Sequence, residues 1–223
     1  MRRPAASVSD PARGALRRRA ARIFSRLRGA YPDAHCELDH DGPFQLLAAT
    51  ILSAQCTDRN VNKATPALFK AWPDAEALAR APLARVEACI RGLGLFRGKA
   101  RNLVGMARAL VEAHGGRVPR TMEGLVALPG VGRKTANVVL SNAFGLPGLA
   151  VDTHVLRLGR RLGLLKTADP VKAEQALCAL IPPQDWGPAS HLLIWHGRRT
   201  CFARNPDCGG CVVRTQCPSA DKA

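Results

Sequence analysis

From about Ala15 onward, apolar residues recur at three- and four-residue spacing in short runs, and Gly or Pro interrupts nearly every run. No alternating, β-branched stretch of strand length occurs anywhere. Together these features leave one class open, an all-α fold of many short, closely packed helices. Leu16, Ala20, Ile23, Phe24 and Leu27 mark a first amphipathic helix over 15–27. Phe44, Leu47, Ala48, Ile51 and Leu52 mark a buried second one that runs toward Gln55. Further helices are predicted over 60–72, 74–79, 82–90, 99–113, 122–128, 134–144, 152–162, 170–179 and 188–196. Residues 1–14, rich in Ala, Arg, Pro and Ser, lack periodicity and read as a disordered basic arm.

The chain of 223 residues is 47% hydrophobic, enough to bury a core. No apolar run approaches the roughly 18 residues of a membrane helix, and no secretory h-region is present. Its 33 basic and 17 acidic side chains give a net charge of +16. Residues 1–28, with nine arginines against Asp10, supply +8, so the other +8 lies on the folded body. A field of that sign attracts polyanions, and nucleic acid is the expected partner.

The segment Gly124 to Leu140 reads GLVALPGVGRKTANVVL. Here a short helix, the turn Pro129-Gly130-Val131-Gly132 and a new helix follow one another. The glycines permit positive φ and a close backbone approach. Val131 can plug the hairpin into the core. The amides opening the second helix, with Arg133 beside them, suit a phosphate oxygen. This is the logic of a helix–hairpin–helix, which holds nucleic acid by its backbone. Lys134 would occupy the first helical turn, where the positive helix end disfavours an ammonium. A phosphate contact is the commoner fate of a lysine, but this position also favours a nucleophilic amine.

Eight cysteines divide into four scattered ones (Cys36, Cys56, Cys89, Cys178) and a C-terminal set, Cys201-x6-Cys208-x2-Cys211-x5-Cys217. Four thiols within seventeen residues, including one CxxC, point to a metal. Structural zinc and a [4Fe–4S] cluster are both open on spacing, zinc being the commoner.

LPGVGRKTANVVL at 128–140, AVDTH at 150–154, LSAQCTD at 52–58, GLGLFRGKA at 92–100 and the cysteine spacing together resemble the endonuclease III family of DNA glycosylases. The resemblance runs in register from about Ala15 to Cys217. It implies an all-α, two-lobed helix–hairpin–helix glycosylase fold. A six-helix barrel would span 37–145, with the hairpin at 122–144. A second lobe, 15–36 with 146–223, would carry a [4Fe–4S] cluster on Cys201, Cys208, Cys211 and Cys217, and the active site would lie in the cleft between the lobes.

The resemblance also implies roles. Lys134 matches the family's catalytic lysine and Asp152 its catalytic aspartate. Gln55 and Leu95 match side chains that fill the gap left by a flipped nucleotide, and Gly130, Val131, Gly132 and Arg133 match the DNA-binding hairpin. The implied partner is damaged double-stranded DNA carrying an oxidised pyrimidine. The implied protein is a bacterial, cytoplasmic monomer that removes the base and cleaves the abasic site. Phe96 stands where tyrosine is common, and Cys56 and Arg59 stand where the family varies. Two alternatives share parts of this pattern. A relative that removes adenine from mismatches usually lacks the lysine and has a further C-terminal domain, and a DNA-binding paralogue would have lost turnover.

Overall fold

The computed structural model describes residues 11–220 and Lys222, and among these no strand occurs. Eleven α-helices are described: α1 (Pro11–Ala30), α2 (Gly42–Leu52), α3 (Asp58–Ala71), α4 (Ala75–Ala79), α5 (Leu83–Cys89), α6 (Phe96–His114), α7 (Met122–Val126), α8 (Arg133–Phe144), α9 (Thr153–Arg161), α10 (Pro170–Cys178) and α11 (Trp186–Arg199). Single 3₁₀ turns at Pro183–Asp185 and Arg214–Gln216 carry no apolar periodicity, so the sequence does not announce them. Helix α1 is described from Pro11, so 11–14 of the expected arm are helical. Residues 1–10 of that arm lie outside the described residues.

Short polar caps explain where many helices begin. Asp74 accepts from Ala77 N at 2.7 Å, Thr121 from Gly124 N at 3.1 Å, and Asp169 from Lys172 N at 2.8 Å. Glycines explain two ends: Gly115 and Gly145 take φ of 55° and 63° after α6 and α8.

The chain divides into two compact units, Cys36–Ala150 and the described residues of Met1–His35 with Val151–Ala223. The first unit contains α2 to α8. These are the seven segments that apolar periodicity predicts over this span, two of them (α4 and α7) only five residues long. Helix α2 is its centre: every residue from Leu46 to Leu52 is buried, and α2 packs on α3, α6 and α8. Residues 146–150 stay with this unit, because Leu146 N donates to Leu140 O at 2.9 Å and Leu149 and Ala150 are buried.

In the second unit α11 packs on α1 and α9. Close approach of α9 to α11 needs Gly197, since a Cβ there would lie 2.7 Å from His154 Nδ1. The cysteine segment follows α11 directly and folds back over α9. Arg161 fixes it there, donating to Phe202 O at 2.6 Å and Ala203 O at 3.0 Å.

Candidate active site and cysteine centre

The hairpin between α7 and α8 is built as its sequence demands. Leu128 and Val131 are buried in the core, so Val131 anchors the turn and offers a ligand only its backbone. Gly130 has φ of 76°, and a Cβ there would lie 2.7 Å from Asn102 Cβ, so glycine is required twice over. Gly132 differs from the expectation of positive φ. It is the N-cap of α8 with an extended φ of −94°, and its missing Cβ faces open space. Its value lies in what can come close to it. Gly132 has no side chain with which to cap α8, so the first turn of the helix opens outward. Lys134 is exposed in that same first turn.

Two other loops of this unit present strained residues. Gln55 forms the tip of the tight turn after α2, exposed and left-handed at φ 53°. Leu95 is the N-cap of α6, also left-handed at φ 60° and 64% exposed. An L-residue in this region costs of order 1–2 kcal/mol, and an exposed leucine gains no burial in return. Among the described non-glycine residues only Asn205 shares a positive φ with them. Leu95 is therefore no core residue, and Gln55 does not cap α2. Ser53 is the C-cap of α2.

Lys99, one turn into α6 from Leu95, is a feature that sequence reasoning missed. It is 4% exposed, and its Nζ has no hydrogen-bond partner. Burial lowers its pKa, partly opposed by the nearby Cys56 thiol. No sequence signal separates such a lysine from a surface one.

Asp152 belongs to the other unit. It caps α9, its Oδ1 accepting from Val155 N at 2.8 Å. Two residues on, His154 has its pKa lowered by burial, opposed by the Asp152 carboxylate.

Cys201, Cys208, Cys211 and Cys217 line one chamber together with Leu158, Leu162 and Val213. Hydrogen-bond partners stand on three of the sulfurs. Arg161 Nη1 donates to Cys201 Sγ at 3.4 Å, His196 Nε2 lies 3.5 Å from Cys211 Sγ, and Cys217 Sγ donates to Arg161 O at 3.4 Å. Burial pushes the Cys211 and Cys217 thiols up, and neighbouring cysteines add to it. A cationic centre would relieve both effects. Among the described residues no three His, Cys, Asp or Glu side chains stand close enough to share one metal ion. Four thiols around one chamber, with apolar walls that exclude water, fit a thiolate-held metal centre.

The family profile of the HhH-GPD superfamily of base excision DNA repair proteins matches residues 48–183. Endonuclease III of Synechocystis sp. is 54% identical over 205 residues, 92% of this chain and 94% of that protein. Endonuclease III of Escherichia coli K12 is 42% identical over 200 residues, 90% of this chain and 95% of that one. Among solved structures, a trapped endonuclease III–DNA covalent intermediate with an estranged adenine superposes with a TM-score of 0.88. It is 42% identical and covers 92% of this chain and 97% of its own. A thermostable thymine-DNA glycosylase, 24% identical at a TM-score of 0.84, shares the fold.

Proposed function

This chain belongs to the HhH-GPD superfamily of base excision DNA repair proteins, and we propose that it excises oxidised pyrimidines from duplex DNA and then cleaves the abasic strand. The observation that carries the reading is the exposed start of α8, where Lys134 follows the open Gly132. A backbone phosphate held by the amides there, with Gly130, Val131, Gly132 and Arg133 forming the turn, brings the sugar to the lysine. The similarity to a trapped covalent endonuclease III–DNA intermediate supports a covalent route.

The flipped nucleotide leaves a gap in the stack. Leu95 and Gln55, held outward by their left-handed backbones, enter it and meet the orphaned base. The Lys134 amine attacks C1′, the C1′–N bond breaks, and the base leaves with the electron pair and takes up a proton. The Asp152 carboxylate stabilises the positive charge that develops on the sugar. Loss of a proton from the amine and opening of the sugar ring give a Schiff base at C1′. That imine acidifies the C2′ proton, whose removal expels the 3′ phosphate by β-elimination. All residues invoked lie on one chain, so a monomer suffices.

Cys201, Cys208, Cys211 and Cys217 would hold a [4Fe–4S] cluster, one cysteine to each iron. The cluster supplies a cross-link between the end of α11 and the C-terminal segment, and takes no part in the steps above.

The test is a duplex with one thymine glycol, with free base and nicked strand measured together, alongside iron and acid-labile sulfide in the purified protein. Base release and nicking in equal amounts, with about four irons and four sulfides per chain, are expected. Base release without nicking would remove the lyase role, and binding without either product would leave a DNA-binding protein. One zinc and no sulfide would overturn the cluster.

A further inference from the structure

The chain contains a single tyrosine, and it sits in the second unit with no part in the chemistry above. Tyr31 lies just beyond α1, and its hydroxyl is 2.9 Å from His196 Nδ1 and 2.9 Å from Thr200 Oγ1. On the far side of the same imidazole, His196 Nε2 is 3.5 Å from Cys211 Sγ. His196 is 1% exposed. One continuous hydrogen-bond chain therefore runs from Thr200 through Tyr31 and His196 to a sulfur of the cysteine chamber.

The polarity of such a chain follows from its last member. A cysteine bound to iron is a thiolate and can only accept, so Nε2 must carry the hydrogen. A neutral imidazole has one N–H, so Nδ1 is then an acceptor. Tyr31 must donate its O–H to Nδ1, which leaves its oxygen lone pairs for the Thr200 hydroxyl. Every member is satisfied in one direction only. Without the phenol, the buried ring has no donor on Nδ1, and the opposite tautomer, which aims a lone pair at the sulfur, becomes competitive.

We propose that Tyr31 is a positioning residue that locks His196 as the Nε2–H tautomer, so that His196 donates to the Cys211 sulfur and raises the reduction potential of the cluster. A donor on a ligating sulfur withdraws charge and favours the more reduced, more negative state. The inference rests on the cluster assignment above and concerns tuning, so excision activity is not its readout.

Tyr31→Phe keeps the ring and removes the one hydroxyl, at a half-buried position where phenylalanine fits. Iron and sulfide are measured first in wild type and variant. An iron-free wild type would sink the cluster assignment itself, separately from this inference. With both loaded, protein-film voltammetry should place the variant's cluster couple at a more negative potential than wild type. In wild type labelled with ¹⁵N-histidine, pulsed EPR of the paramagnetic cluster should detect a protonated Nε2 coupled to it, and Tyr31→Phe should weaken that coupling. Equal potentials in two equally loaded proteins would overturn the proposal. So would a wild-type imidazole with its hydrogen on Nδ1, a result that does not depend on the variant folding.

Discussion

Asp152 caps α9 through one carboxylate oxygen, so its replacement must separate a structural role from a chemical one. Asparagine caps helices about as well as aspartate, and Asp152→Asn should leave thermal stability unchanged. What it removes is charge. An electrostatic contribution of about 3 kcal/mol in a dry site corresponds to roughly a hundredfold in rate. A preformed abasic site has already lost its base, so single-turnover excision should slow about a hundredfold while abasic-site cleavage slows far less. Equal losses on both substrates would assign Asp152 to activating Lys134 instead. Leu95→Gly makes the complementary test. Glycine accepts φ of 60° without penalty, so the variant should be no less stable than wild type. It loses the wedge, and excision should fall by about tenfold or more. A variant that is destabilised and fully active would mean that Leu95 serves the fold.

At the level of elements, the two hairpin glycines should behave differently. Gly130→Ala meets both a left-handed backbone and Asn102 Cβ, so it should cost about 1–3 kcal/mol of stability in denaturant unfolding. Gly132→Ala meets nothing, and should leave stability intact while weakening binding to damaged and undamaged duplex alike. Selective loss for damaged duplex would mean that the turn contacts the lesion. Much of this region was legible in the sequence, because Pro, Gly and a periodic apolar face punctuate α7 and α8 unambiguously. The four grouped cysteines were legible for the same reason: local residue type determines local geometry. The left-handed backbones of Gln55 and Leu95 were not, because tertiary packing imposes them on residues that would otherwise avoid them. The Tyr31–His196 contact joins positions 165 apart, and no local pattern announces it. Burial of Lys99 is likewise a product of packing.

Across the whole molecule, the +16 charge and the acid response of buried histidines set the working conditions. Burial, helped by His35 and Arg198, lowers the pKa of His191 to about 4, below the ordinary value of 6.5. The unfolded chain therefore binds more protons than the folded one between those values, and stability should rise with pH from about 4 to 6.5 and then level off. His191→Gln should reduce that slope, the buried His196 supplying the rest, and an unchanged slope would locate the acid sensitivity elsewhere. Duplex affinity should fall steeply with salt, in proportion to the phosphates neutralised. The decisive bond, however, is covalent. Borohydride reduces a protein–DNA Schiff base to a stable adduct, so wild-type protein incubated with abasic duplex and borohydride should migrate as a cross-linked species. Lys134→Ala should bind the same duplex and give no adduct. Adduct formation by Lys134→Ala at the wild-type level would contradict the account.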